Sequence, residues 1–196
     1  SYRFLRRVWN FGAAQADVAP AALAGQTFGK GAQALRREVH TVLRQIDYDY
    51  QRMQYNTVVS GAMKLLNALE GFKPDGSAGD AAAVREGFGI LLRCLYPATP
   101  HIAQQLWNEL GYDKDLGGLL DAPWPTVDVG ALVQDEIELM LQVNGKLRGK
   151  LSVPAGASKD EIEKLALACD DFVNFAEGAP PKRVIVVPGR LVNVVL

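Results

Sequence analysis

The chain has 196 residues, 48% of them hydrophobic, with a formal net charge of −1. That is enough apolar material for one large or two small cores, and it excludes an overall positive field that would draw in nucleic acid. Two isolated cysteines, Cys94 and Cys169, and two histidines, His40 and His101, make neither a disulfide framework nor a zinc-site spacing, and no apolar run is long enough to cross a membrane.

Charge is balanced along the chain, with 13 basic and 13 acidic residues in 1–130 and 8 and 9 in 131–196. Any nucleic-acid site must therefore be a local patch. Both cysteines sit in apolar, helix-like surroundings, which reads as a reduced cytosolic protein. Residues 2–14 have helical period. Phe4, Leu5, Val8, Trp9 and Phe11 fill one half of the wheel, and Arg3, Arg6, Arg7 and Asn10 the other. The chain opens inside that helix without a secretory pattern, as a piece of a longer protein would. Residues 17–31, rich in Ala and Gly, read as a loop.

A long helix is expected over 32–53, with Leu35, Val39, Val42, Leu43, Ile46, Tyr50 and Met53 as its apolar stripe. Arg36, Arg37, His40 and Arg44 fall together beside that stripe. A solvated face is the commoner meaning of such a cluster, and a phosphate-binding ridge is the sharper one. Asn56-Thr57 could cap a helix over 57–70 that turns Val58, Ala62, Leu65, Leu66 and Leu69 inward. A turn-rich stretch, 71–79, precedes a helix over 80–96 with Val84, Phe88, Leu91 and Leu95 at core spacing. Thr99-Pro100 reads as an N-cap followed by proline at the first helical position. The helix that follows, to Leu110, buries Ile102, Leu106 and Trp107. In 111–130 no period is sustained, and Trp124, between two prolines, should pin the segment on the bundle.

From 126 to 136 the period changes from 3.6 to 2, which marks a linker. Ile137 to Val153 reads as a hairpin. A two-residue loop at Asn144-Gly145 would set apolar residues opposite basic ones. A three-residue loop, Val143-Asn144-Gly145, pairs Leu141 with Leu147, Leu139 with Gly149 and Ile137 with Leu151. That register leaves Lys146, Arg148 and Lys150 as a basic row on the solvent side. Such a row commonly just keeps a sheet soluble; contact with nucleic-acid phosphates is the alternative. Ser158 to Glu161 forms a capping-box pattern. Its helix runs to Cys169, and 170–177 adds a short one. After the break at 178–181, residues 184–187 and 191–196 make a second hairpin around Pro188-Gly189-Arg190.

The expected fold is thus multi-domain. An all-α helical bundle over 1–125 is followed by the linker and by a small α+β domain over 137–196, built as β-hairpin, helix, β-hairpin. No catalytic constellation is legible. There is no P-loop, Gly-x-Gly-x-x-Gly, Gly-x-Ser-x-Gly or Cys-x-x-Cys, and the GKLRGK run has its glycines in a hairpin. Local basic rows on both parts point to binding without identifying the ligand.

A resemblance adds more. RFLRRVW at 3–9, LRREVH at 35–40, YNTVVSGAMKLLN at 55–67, YPATPHIAQQLWNEL at 96–110 and APWP at 122–125 resemble the helical anticodon-binding domain of bacterial leucyl-tRNA synthetases. LQVNGKLRGKLSVP at 141–154 and VIVVPGRLVNVV at 184–195 resemble that family's C-terminal domain. The helical segments are shared loosely with valyl, isoleucyl and methionyl enzymes; the two hairpins are more specific. The resemblance covers essentially the whole chain. It implies a cytoplasmic, monomeric parent ligase that attaches leucine to its tRNA using ATP and Mg2+. The family's His-Ile-Gly-His and Lys-Met-Ser-Lys-Ser signatures and its editing domain lie upstream, so no catalytic residue, metal ligand or cofactor is expected here. The implied partners are leucine tRNA and the catalytic and editing domains of the same parent. The helical domain is implied to lie along the tRNA stem side and the C-terminal domain to reach the elbow. Lys146, Arg148 and Lys150 then become elbow candidates, with Arg183 and Arg190 as lesser ones. Arg36, Arg37, His40 and Arg44 become the stem-side ridge, and Arg3, Arg6 and Arg7 face the catalytic domain. A stand-alone RNA-binding module and a protein-interaction module are the competing readings.

Overall fold

A computed structural model describes residues 2–133, 136–176 and 179–195. The chain divides into two compact units, Ser1–Val133 and Gln134–Leu196. Gln134 and Asp135 of the expected linker, Glu177 and Gly178 around the expected break, and Leu196 of the last strand lie outside the described residues.

The first unit is helical. It holds α1 (Tyr2–Gln15), α2 (Lys30–Gln51), α3 (Tyr55–Gly71), α4 (Ala78–Leu95), α5 (Pro100–Glu109) and a short α6 (Tyr112–Leu116). A 3-10 turn, Val129–Leu132, closes it. In α2 the spacing of Leu35, Val39, Leu43 and Ile46 puts all four in the core. The central helix is α4, apolar around most of its circumference and buried at Ala82, Ala83, Phe88, Ile90, Leu91, Leu92 and Leu95. Glycine lets α3 approach α2 closely, because a Cβ on Gly61 would lie 2.6 Å from Ile46 Cγ1. Trp107 is fully buried. Its ring stacks on Tyr112 at 4.8 Å, and its Nε1 donates to the Gly117 carbonyl at 2.9 Å.

Several expectations are corrected. Helix α3 starts at Tyr55 with Gln54 at its N-cap, so Asn56 and Thr57 lie inside the first turn. Ser77 caps α4 by accepting from the Asp80 N–H, a cap hidden within the turn-rich stretch. Met53 is not in the apolar stripe. It follows the end of α2 with φ 54° and is 74% exposed. Residues 128–132, expected within the linker, pack on α2.

The second unit is one four-stranded sheet in the order β2-β1-β4-β3, with two helices on one face. Its elements are β1 (Glu136–Val143), β2 (Lys146–Pro154), α7 (Lys159–Ala168), α8 (Asp170–Ala176), β3 (Arg183–Val187) and β4 (Leu191–Val195). Two antiparallel hairpins are joined by parallel pairing of β1 with β4, from Met140 opposite Leu191 to Val143 opposite Val194. Leu139, Leu141, Val143, Leu151, Val153, Val192 and Val194 face Ile162 and Ala166 of α7 and Phe172 and Ala176 of α8. The capping box at Ser158 forms, with its hydroxyl accepting from the Glu161 N–H and the Glu161 carboxylate accepting from the Ser158 N–H.

The expected register of the first hairpin is wrong. Val143 faces Lys146 across a two-residue Asn144-Gly145 turn, with both turn residues at positive φ, 50° and 76°. That is a type I′ turn, whose twist suits a hairpin. The pairing shifts between Leu141 and Gln142, so Leu141 meets Gly149 and Gln142 meets Leu147. Arg148 is the unopposed residue of this bulge. Beyond it Leu139 meets Leu151 and Ile137 meets Val153, which restores an apolar face. Leu147, expected to face the core, is 59% exposed on the open face.

Candidate nucleic-acid interface

The expected basic ridge on α2 divides in two. Arg36 and His40 turn inward, toward Glu86 of α4. Arg36 Nε donates to Glu86 Oε2 at 2.6 Å and its Nη2 to Oε1 at 3.1 Å. The same Nη2 reaches Asp128 Oδ2 at 2.8 Å, and the guanidinium lies 4.6 Å from the Phe28 ring centroid. His40 is buried. Its Nδ1 accepts from the Asp128 N–H at 3.0 Å, so Nε2 carries the proton and donates to Glu86 Oε1 at 2.8 Å. Burial works against ionisation of Glu86, but the hydrogen bonds from His40 and Arg36 outweigh it, and its carboxyl titrates below the ordinary range. The Asp128 carboxyl is lowered as well, chiefly by its bond from Arg36. Arg36 and His40 therefore spend their donors inside the unit, and their assignment to a phosphate ridge is corrected. Arg7 stays exposed while it donates to Asn67 Oδ1 at 2.6 Å and pairs with Glu70 of α3.

What stays open is the adjoining face of α2. Arg37, Thr41, Arg44 and Tyr48 fall within about 60° of arc and span about 16 Å of the helix. They line a shallow groove against Thr57, Ser60, Lys64 and Asn67 of α3. Among the described residues neither Arg44 nor Lys64 makes an ion pair. The acids alongside are partly spent, as Asp49 is buried and accepts from Gln45 Nε2 at 2.9 Å, while Glu38 is exposed at the Arg37 end. Sequence reasoning missed Lys64 and Tyr48. Their signal was present: Thr57, Ser60, Lys64 and Asn67 repeat at helical spacing on the polar side of α3, and Tyr48 follows Arg44 by one turn. Hydroxyls, an amide and unpaired cations along a groove are the chemistry that holds a sugar-phosphate backbone.

On the sheet unit the row of Lys146, Arg148 and Lys150 is broken. The bulge turns Arg148 toward the helix side, where its guanidinium lies 4.1 Å from the Phe175 ring centroid of α8. Lys150 stays on the open face and pairs with Glu138 at 3.1 Å. Lys146 stands beside the turn opposite Val143. Arg183 begins β3 opposite Val195, and Arg190 closes the second turn, its carbonyl accepting from the Met140 N–H at 3.0 Å. The open face between them is apolar and amide-bearing, with Met140, Leu147, Ile185 and Val187 exposed around Gln142 and Asn193. Asn193 Oδ1 accepts from the Gly145 N–H at 3.1 Å and holds the first turn against β4.

Among the described residues no three His, Cys, Asp or Glu side chains gather as a metal site, and no helix is long and apolar enough to cross a membrane. Cys94 is buried, and burial pushes its thiol up to about 12, which removes it as a nucleophile.

A helical unit with a cationic groove, followed by a small sheet unit, matches a family model. The model for the anticodon-binding domain of tRNA ligases matches residues 32–164, from α2 into α7, and the chain belongs to that family. The particular likeness is narrower. The chain is 87% identical over 196 residues to the leucine–tRNA ligase of Variovorax paradoxus (strain S110), covering 100% of this chain and 22% of the relative. It is 67% identical over 202 residues to the leucine–tRNA ligase of Polaromonas sp. (strain JS666 / ATCC BAA-500), covering 100% of this chain and 23% of the relative. The chain thus spans less than a quarter of the length of the curated relatives it matches. Among solved structures it superposes on the Agrobacterium radiobacter K84 agnB2 LeuRS in its ternary complex with tRNA and LeuAMS. The TM-score is 0.69 and the identity 23%, over 98% of this chain and 25% of that one, a likeness of fold.

Proposed function

We propose that this chain is the tRNA-holding, C-terminal portion of a cytoplasmic, monomeric leucine–tRNA ligase, which joins leucine to its tRNA at the expense of ATP. The observation that supports this reading is 87% identity to such a ligase along all 196 residues. The helical unit is the anticodon-binding-type bundle, and the sheet unit is the C-terminal tRNA-binding domain. The described residues do not fit ATP or Mg2+. They offer no cluster of acids, and the glycines of the GKLRGK run lie in and beside a hairpin turn rather than between a strand and a helix. No step of the ligation is therefore assigned to them; the catalytic domain of the parent carries those steps.

The work left to this chain is positioning. Arg37, Arg44 and Lys64 in the α2–α3 groove neutralise phosphates along a tRNA stem. Lys150 and Arg183 lie on the open sheet face, Lys146 and Arg190 stand beside its two turns, and together they meet the tRNA elbow; Arg148 acts from beside α8. Contacts of this kind fix register and orientation without reading sequence. The test is a fluorescence-anisotropy titration of the chain with leucine tRNA, an unrelated tRNA and a plain RNA duplex at two salt concentrations. Salt-sensitive binding that favours both tRNAs over the duplex is expected. Replacing Arg44 and Lys64 by alanine should flatten the salt dependence by roughly one unit of log–log slope for each phosphate no longer neutralised. Affinity indifferent to salt, or equal for duplex and tRNA, overturns the reading.

A further inference from the structure

Of the seven asparagines only Asn144 is followed by glycine. The pair is exposed at the tip of the first hairpin, and it is chemically fragile. The Gly145 nitrogen, with no side chain beside it, is free to attack Cγ of Asn144 once it loses its proton. The new N–Cγ bond closes a succinimide ring, and Nδ2 leaves as ammonia. Water then opens the ring at either carbonyl. One product is aspartate; the other is isoaspartate, with the main chain rerouted through the former side chain.

The fold opposes this reaction in two ways. Ring closure needs the Gly145 nitrogen and the Asn144 Cβ on the same side of the Cα–C bond. Asn144 is instead left-handed, with φ 50°, as the first residue of the type I′ turn, and there the two atoms point nearly opposite ways. Ring closure also needs the Gly145 N–H to give up its proton, and that N–H donates to Asn193 Oδ1 at 3.1 Å. Beside it the Asn144 N–H donates to the Val194 carbonyl at 2.9 Å. The two bonds bolt the tip of the β1–β2 hairpin to β4. Asn193 is itself held in place, half-buried between Gln142 of β1 and Ile185 of β3.

We propose that the Asn144-Gly145 turn is a site of spontaneous hydrolytic deamidation and that Asn193 guards it, by holding the turn in a conformation from which the imide does not close. Conversion then proceeds only through local opening, at a rate set by how often the turn leaves β4. The product does not refit. Isoaspartate adds a methylene to the main chain of a two-residue turn, and either product sets a carboxylate beside Lys146. The inference stands apart from the RNA reading, since it concerns the chemical lifetime of the first hairpin.

The test holds the whole chain in warm, mildly alkaline buffer and follows amide-to-acid conversion at Asn144 by mass spectrometry of its peptides. A synthetic peptide of residues 141–148 is the unguarded reference. The folded chain is expected to convert roughly tenfold or more slowly than the peptide. Asn193→Ala removes one hydrogen bond and should convert about fivefold faster than the unaltered chain. Asn193→Asp keeps an acceptor oxygen in place and should convert no faster than the unaltered chain. Circular dichroism checks that each variant is folded. A second readout needs no variant: as urea is raised below the unfolding transition, conversion at Asn144 and hydrogen exchange at the Gly145 amide should rise together. Three results would each overturn the proposal: a folded chain that converts as fast as the peptide, a folded Asn193→Ala chain that converts at the unaltered rate, or conversion that stays flat while Gly145 exchange rises.

Discussion

Glu86→Gln tests the cluster that closes the helical unit. The side chain of Glu86 is 13% exposed and receives three hydrogen bonds, two from Arg36 and one from His40. An amide of the same shape brings a second set of N–H donors to a site where every partner is already a donor. At least one bond is broken, and the charge that balances Arg36 goes with it. Removing one partner of a buried ion pair costs about 3–5 kcal/mol. Arg36 keeps Asp128, whose side chain is 46% exposed, so the lower end applies, about 3 kcal/mol. For a helical unit of this size that corresponds to a fall in Tm of roughly 10 °C. Urea unfolding followed by circular dichroism should show a lower midpoint at unchanged slope. A double-mutant cycle with Arg36→Met should show strong coupling between the two positions. A destabilisation below about 0.5 kcal/mol would mean that water satisfies Arg36 and His40, and the reasoning about this cluster would fall.

Three further outcomes are expected. The carboxyls of Glu86 and Asp128 are depressed in the folded chain. Their contribution is therefore complete above the unfolded values of about 4.3 and 3.9 and is lost as pH falls through the depressed folded values. Acid unfolding curves should show that limb and lose much of it in Glu86→Gln; identical curves would contradict it. Gly79→Ala should destabilise by about 1–3 kcal/mol, although alanine is the better helix former, because a Cβ there would collide with the Thr27 carbonyl; a more stable variant would show that the loop yields. Leu147→Ser should change stability by less than about 0.5 kcal/mol, whereas Leu151→Ala, at a position 7% exposed, should cost about 2–4 kcal/mol. Equal costs would mean that the bulge at Arg148 is misplaced.

Helices were legible because burial repeats every three to four residues over long runs, as Leu35, Val39, Leu43 and Ile46 show. The fate of Arg36 and His40 was not. They stand within about a quarter-turn of Arg37 and Arg44, and no neighbour in sequence separates the pairs. Direction is set by Glu86 and Asp128, which lie 46 to 92 residues further along the chain. The hairpin failed for a different reason. Asn144-Gly145 favours a two-residue turn, while the apolar residues further out favour another alignment. Reasoning with one register throughout had to sacrifice one of these. The chain keeps both by leaving Arg148 unpaired, and in doing so takes apart the basic row that the single register had drawn. Parallel pairing of β1 with β4 joins segments about fifty residues apart, for which period and turn chemistry give no signal.

Helix α2 also has a mechanical part to play. Trp124 is tied to Asp47, and Asp128 to Arg36 and His40, so the segment that leaves the helical unit is riveted at two heights along one helix. A pull along the chain toward the sheet unit meets the Asp128 rivet first. The load passes into the Arg36–Glu86 pair and from there into α4, the central helix of the core, and not into slack chain. Since the adjoining face of α2 carries Arg37 and Arg44, the helix that presents these cations is also the one to which the trailing chain is fastened.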